Sequence, residues 1–206
     1  MTIRNDEELK EAVSQASALL QSIHEYCVEQ NHPWSELEAA KVRFPRGFIR
    51  PAAYQRHRLP FIKDQNLKSN LAYTLLLSDA ILWLGMRTDL AGTAQEMLTK
   101  LYIFLIATLC ESITKDYLKG ICGKNVKSRN EFLAAKGIIN ENLQRELDWL
   151  WDTRNRMHLF QLEEREYETS YNKGSHMRCI FAFRELIGAL AKVGRLEANK
   201  SVESTV

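Results

Sequence analysis

Residues 98–113 read LTKLYIFLIATLCESI, and this stretch decides the fold class. Apolar side chains extend around most of a helix built from it, so such a helix has to be buried on nearly every side. The pattern covers residues 93–121, where Gly120 and Gly123 supply a stop, and a second apolar helix is predicted over residues 67–87. We expect these two long helices to form the core pair of a helical bundle and to be its most buried elements.

Amphipathic periodicity predicts further helices on both sides of the core pair. Their expected spans are Asp6 to Gln30, Ser128 to Gly137, Asn140 to about Leu159, and Ser175 to Leu196. All four prolines lie between residues 33 and 60, which predicts an irregular segment there. No stretch predicts a sheet. The expected fold class is therefore all-α, a helical bundle with an N-terminal helix and an irregular, basic, proline-containing segment.

Composition limits the possible classes of protein. The chain has 206 residues, of which 45% are hydrophobic and 26% charged, so it is expected to fold as one globular domain. The net charge is +2. A protein with so little net charge has no global field to attract nucleic acid, and any such binding must come from a local basic patch.

The cysteines and the apolar stretches bear on location. Four scattered cysteines with no Cys-x-x-Cys pair are typical of thiols in a reducing compartment. The N-terminal stretch is polar and acidic, unlike a signal peptide, and no stretch supplies about 18 uninterrupted apolar residues for a membrane span. We predict a soluble, cytoplasmic protein that does not contact a membrane.

The proline-containing segment carries a basic pattern. There is no acidic residue between Glu38 and Asp64. In that interval the candidate RNA-binding residues are Arg43, Arg46, Arg50, Arg56 and Arg58, which alternate with Phe44, Phe48, Tyr54 and Phe61. Arginines can bind phosphates while aromatic rings stack on unpaired bases. Alternatively, the aromatic rings pack into the bundle and the arginines stay solvated or bind the acidic residues 163–168.

One constellation could carry chemistry: residues 152–160, which read DTRNRMHLF. Arg154 and His158 are four residues apart, so we expect their side chains to lie on one helical face. A guanidinium can stabilise the charge of a phosphorane while an imidazole moves a proton, and neither role needs a metal. The five histidines and four cysteines show no metal-ligand spacing, so no metal and no cofactor is expected.

This arginine, asparagine and histidine late in one helix resemble the motif of the HEPN superfamily of small helical bundles. The helix that carries Glu111 is similar to the earlier HEPN helix with an acidic residue, and residues 175–196 fit the closing helix. The resemblance covers about residues 67–196, with residues 1–66 as an N-terminal helix and basic extension. The three residues between Arg154 and His158 are fewer than is usual in the family.

The resemblance implies a metal-independent endoribonuclease in which the 2′-hydroxyl of RNA attacks the neighbouring phosphate. Arg154 would hold the phosphate, His158 would be the acid and base, and Asn155 and Glu111 would orient them. The family also implies a homodimer with the active site between protomers. By analogy, the protein is a toxin or defence effector, and an inhibitory or antitoxin protein is its partner.

Two other interpretations remain open at this point. Arg154 could pair with Asp148 or Asp152 while His158 caps the helix, and Glu111 could be a buried structural acid. The protein would then be a non-catalytic, HEPN-like helical dimer that binds a protein or nucleic-acid partner.

Overall fold

A computed structural model of the protein describes residues 2–32, 38–157 and 170–196. These residues form seven α-helices and no strand, which confirms the all-α fold class. The helices are α1 (Asp6–Glu29), α2 (Ala52–His57), α3 (Gln65–Arg87), α4 (Gly92–Tyr117), α5 (Val126–Ala135), α6 (Glu141–Asn155) and α7 (Lys173–Val193). A short 3₁₀ helix (Glu38–Ala40) and α2 interrupt the proline-containing segment, which is otherwise irregular as predicted.

The chain divides into two compact units, Met1–Arg46 and Gly47–Val206. The boundary lies about twenty residues before the position expected from the sequence, because residues 47–66 belong to the bundle unit. That one domain covers the whole chain stays a prediction. In the first unit, the side chain of Asn5 caps α1 by accepting a hydrogen bond from the Glu8 amide at 2.8 Å, one residue before the predicted start.

The second unit is a bundle arranged around α4, which packs against α3, α5, α6 and α7. The isoleucines Ile103, Ile106 and Ile113 of α4 are fully buried. They share one core with Leu150 of α6 and Leu186 of α7. Helix α4 is thus the central element of the bundle, with four neighbouring helices.

The burial expected of the core pair is right for α4 and wrong for α3. Ten residues of α4 are buried, whereas α3 buries six residues and α7 buries seven. The outer face of α3 leaves Tyr73, Leu77 and Met86 about half exposed. Apolar composition around a helix predicts burial only where neighbours surround it, and α3 packs mainly against α2 and α4.

Several predicted helix ends need correction. Helix α4 ends at Tyr117 rather than at residue 121, since residues 118–120 form a turn in which Gly120 has a φ of +79°. The Asn125 side chain caps α5 by accepting a hydrogen bond from the Ser128 amide, so Ser128 lies in the first turn instead of starting the helix. Asn140 caps α6 as predicted, accepting from the Leu143 amide at 2.7 Å.

Two further ends concern the candidate motif and the last helix. Helix α6 ends at Asn155 instead of continuing to residue 159. Asn172 caps α7 through the amide of Ser175, which therefore lies inside the helix. The acidic residues 163–168 lie outside the described residues.

One helix bears on the membrane question. Among the described residues only Gly92–Tyr117 is long and apolar enough to cross a bilayer, and half of its most apolar window is buried inside the bundle. A core helix of a soluble protein has this property. The helix is therefore weak evidence for a membrane span, and a soluble, cytoplasmic location stays a prediction.

The cysteines offer a test of the packing. Burial raises the pKa of Cys110 to about 12 and also raises the pKa of Cys179. A thiol with a pKa of 12 is roughly one part in 10,000 thiolate at pH 8, so it scarcely reacts as a nucleophile. We expect a disulfide reagent at pH 8 to label Cys27 and Cys122, which are partly exposed, and to label the other two only after unfolding. Peptide mass spectrometry of the labelled native protein checks this; native labelling of Cys110 at the rate of Cys122 would contradict the packing.

Candidate active site

Three of the four predicted catalytic residues lie together. Glu111 is on α4, and Arg154 and Asn155 are in the last turn of α6, which packs against α4. Arg154 Nη2 lies 3.9 Å from Glu111 Oε2, and Arg154 Nη1 donates a hydrogen bond to Asn155 Oδ1 at 3.1 Å. The packing of two helices thus brings together residues that are far apart in the sequence.

The position of the fourth, His158, lies outside the described residues. Helix α6 ends at Asn155, and the amides of Arg156 and Met157 make the bonds of a final turn to Asp152 and Arg154. The expectation that Arg154 and His158 share one helical face depended on a helix running to residue 159. Because α6 ends at Asn155, the helix does not support that expectation, and the placement of His158 beside Arg154 stays a prediction.

Arg154 is partly exposed, and its contacts do not use all of its hydrogen-bond donors. Its side chain is 27% exposed, and its distance to Glu111 is that of an ion pair without a close hydrogen bond. The guanidinium also lies over two aromatic rings, 5.3 Å from the centre of Trp151 and 5.9 Å from that of Phe104. These contacts orient the cation while leaving its donors only partly used.

The surface-pair interpretation of Arg154 is wrong. Its two proposed partners, Asp148 and Asp152, are engaged by α5: Asn130 Nδ2 donates to Asp148 and Lys127 Nζ to Asp152, each at 2.8 Å. Glu111 is also not a fully buried structural acid, since its side chain is 28% exposed. These contacts leave Glu111 as the carboxylate facing Arg154 among the described residues.

A groove of about 270 Å³ opens beside Arg154. It is lined by Met97, Lys100, Leu101, Phe104, Arg154 and Met157. Leu101 and Phe104 are 45% and 40% exposed, although both belong to the central helix. The sequence-based predictions do not include this groove, although Phe104 precedes Glu111 by seven residues, which is two helical turns along one face.

A second cation near Glu111 was also missed. Arg129 of α5 is only 2% exposed, and its Nη1 donates to the Lys124 carbonyl at 2.7 Å while Nε and Nη2 have no partner among the described residues. Burial lowers the pKa of Arg129, and the negative charge of Glu111 acts in the opposite direction. Glu111 is thus influenced by two arginines, one from α5 and one from α6.

The basic segment does not present all five arginines to solvent. Arg43 and Arg46 are exposed and Arg56 is half-buried, but Arg50 and Arg58 are not free: Arg50 pairs with Asp79 and Arg58 donates to Gln55. Among the aromatic residues, Phe61 is buried against Tyr117, while Tyr54 is 48% exposed. Arg50 and Arg58 are therefore not both free to bind RNA as the basic pattern predicts, because Asp79 of α3 pairs with Arg50 and Gln55 of the same segment accepts from Arg58.

Another cavity, of about 700 Å³, lies away from this motif between α3, α4 and the start of α7. Its lining is mostly apolar, and it includes Glu96 and His176, each with one buried polar atom that has no partner among the described residues. Burial lowers the pKa of His176, which favours a neutral imidazole. Within the described parts of the chain, no three His, Cys, Asp or Glu side chains come together as a metal site would require.

Comparison of the chain with protein-family profiles, with curated proteins and with solved structures gave no match. Membership of the HEPN superfamily therefore stays a prediction. It depends on the motif at residues 154–158 and on the order of the helices.

Proposed function

We propose that the protein is a metal-independent endoribonuclease of the HEPN type. The observation that supports it best is the meeting of Glu111, Arg154 and Asn155, of which Arg154 also lines an open groove. Helix periodicity within one element cannot produce this grouping, since the carboxylate comes from α4 and the cation from α6. A partly exposed cation with an orienting carboxylate and amide is suited to holding a phosphodiester.

The reaction would be an intramolecular transfer. The 2′-oxygen of a ribose forms a bond to the adjacent phosphorus while the bond from phosphorus to the 5′-oxygen of the next nucleotide breaks. A base accepts the 2′-hydroxyl proton and an acid gives a proton to the leaving oxygen, so the products are a 2′,3′-cyclic phosphate and a 5′-hydroxyl. Arg154 would stabilise the charge on the non-bridging oxygens, and His158 would transfer protons.

A homodimer fits this mechanism, because one imidazole cannot easily serve as base and acid on opposite sides of phosphorus. The exposed Leu101 and Phe104 beside Arg154 give the same groove an apolar surface. Their position is consistent with a second protomer, or with an unpaired base, covering the groove. RNA with single-stranded segments is the proposed substrate, since an aromatic ring beside a guanidinium can stack on a base.

The setting as a toxin or defence effector, controlled by an inhibitory or antitoxin protein, belongs to the same proposal and rests on analogy. A second candidate function is a non-catalytic helical dimer that binds a protein or nucleic-acid partner. The contacts of Arg154 with Glu111, Trp151 and Phe104 favour it, because a cation with such neighbours can be purely structural.

The test is cleavage of total RNA by the purified full chain in EDTA. We expect products with 2′,3′-cyclic phosphate ends, no cleavage of DNA or of an RNA with 2′-deoxyribose at the cleaved position, and no activity in His158→Ala. Light scattering at micromolar concentration should report a dimer. Cleavage that requires added magnesium, or that persists in His158→Ala, would instead support the non-catalytic dimer together with a contaminating nuclease.

A further inference from the structure

A polar cluster lies where the segment before α2 meets α3, and it is separate from the Arg154 groove. Asp79 of α3 is 4% exposed. Arg50 donates to it from Nη2 at 2.5 Å, from Nε at 3.2 Å and from its backbone amide at 3.3 Å, and Gln55 Nε2 donates at 2.9 Å. The hydrogen bond to Asp79 raises the pKa of Arg50. One carboxylate therefore balances one arginine, and its two oxygens already accept four hydrogen bonds.

Two more arginines face the same cavity without a carboxylate of their own. Arg58 is half-buried, and its Nη1 donates to the neutral Gln55 Oε1 at 3.0 Å. Arg184 of α7 is exposed and has no hydrogen-bond or ion-pair partner among the described residues. The pKa of Arg58 is lowered first by burial and then by the charge of Arg50, with a smaller contribution from Arg184.

The cavity between these groups is small, about 40 Å³, which leaves room for about three water molecules. Its polar lining consists of Arg50, Arg58, Arg184, Asp79, Ser78 and Tyr102. Three guanidinium groups and one carboxylate leave an excess of two positive charges in the described lining. Burial raises the pKa of Tyr102, so its phenol stays neutral and adds no negative charge.

We propose that Arg58 and Arg184, together with Arg50 as positioned by Asp79, form a binding site for a single phosphate group. A phosphate dianion matches the excess charge, and guanidinium forks bind its oxygens in pairs. The volume admits the oxygens of one such group but not a nucleoside. The site contains no residue of the Arg154 groove, so it does not depend on the proposed nuclease activity.

The experiment is calorimetric titration of the full chain with sodium phosphate at constant ionic strength, with sodium chloride and sodium acetate as comparison anions. Phosphate should bind to one site per chain and acetate should bind more weakly. Arg184→Gln, which alters an exposed side chain, should weaken phosphate binding roughly 10- to 100-fold. Arg184→Lys should recover part of that loss because it restores the charge without the fork.

Lys192→Gln is the matched control, since it removes one exposed charge from the same helix at a position outside the cavity. It should bind phosphate as the unaltered protein does. Three results would each overturn the proposal. They are a heat of titration with phosphate no larger than with chloride, an affinity for acetate equal to that for phosphate, and equal losses of phosphate affinity in Arg184→Gln and Lys192→Gln.

The same assay can show whether the phosphate group belongs to the end of an RNA chain or to a small compound. A 5′-phosphorylated oligoribonucleotide that competes with inorganic phosphate, when its 5′-hydroxyl counterpart does not, would identify the end of an RNA chain as the ligand. Competition by a mononucleotide but not by the oligonucleotide would identify a small phosphate compound. Both results support the phosphate site, and competition by the 5′-hydroxyl form would contradict recognition of a single terminal group.

Discussion

Arg154→Ala is expected to lower the rate of RNA cleavage by roughly 10²- to 10³-fold or more, the usual cost of removing a preorganised group that stabilises transition-state charge. The side chain is the partly exposed cation between Glu111 and the groove, and no other described cation contacts Glu111 within ion-pair distance. The measurement is a single-turnover rate on a labelled RNA in EDTA. The fold should persist, because truncation of this partly exposed side chain leaves no core cavity and its aromatic contacts contribute only about 1 kcal/mol each.

Arg156→Ala is the matched control. Arg156 lies two residues along the chain, carries the same charge and is exposed beyond the end of α6. Its removal should change the cleavage rate by less than threefold if catalysis depends on the particular geometry at Arg154. Equal losses in the two variants would mean that general attraction of RNA, rather than phosphate positioning by Arg154, explains the activity.

The sequence predicts this fold well wherever a local signal exists. The apolar runs of α3 and α4 and the cap at Asn140 were each recognised from residues that lie side by side in the chain. Errors arose where two local signals compete or none is present. Asn125 and Ser128 can both cap a helix, and the bond from the Ser128 amide to Asn125 decides between them. No glycine or proline marks the end of α6, so its stop at Asn155 was not foreseen.

The same limit applies to the candidate site, where contacts between residues on different helices have no local sequence signal. The proximity of Glu111 to Arg154 was expected only through the resemblance to a family, since no spacing rule connects residues on two helices. Arg50 shows the opposite case: its position among other arginines predicts an RNA contact, whereas the structure pairs it with Asp79, 29 residues later. Charge patterns show where cations cluster but cannot show which of them the fold neutralises.

Arg50→Ala is expected to destabilise the bundle by about 3 kcal/mol, the lower end of the 3–5 kcal/mol that follows when one partner of a buried ion pair is removed. The lower end applies because the Arg50 side chain is 40% exposed, so water reaches part of the site. Asp79 has no such access and would keep only the bonds from Gln55 and from the backbone amide of residue 50. For a protein of this size the melting temperature should fall by about 6–12 °C. Circular dichroism during thermal and urea unfolding measures both quantities.

Arg56→Ala provides the control, because Arg56 lies in the same segment with the same charge and its side chain makes no ion pair in the described residues. It should change stability by less than about 0.5 kcal/mol. The double variant Arg50→Ala/Asp79→Asn separates charge burial from lost packing, because it shares the truncation at residue 50 with Arg50→Ala and differs from it only at the carboxylate. It removes both charges while the new amide can still accept from Gln55, so it should be more stable than Arg50→Ala by at least about 1 kcal/mol. If the double variant is as unstable as Arg50→Ala, the loss comes from packing around Arg50 and the unpaired Asp79 carboxylate is not its cause.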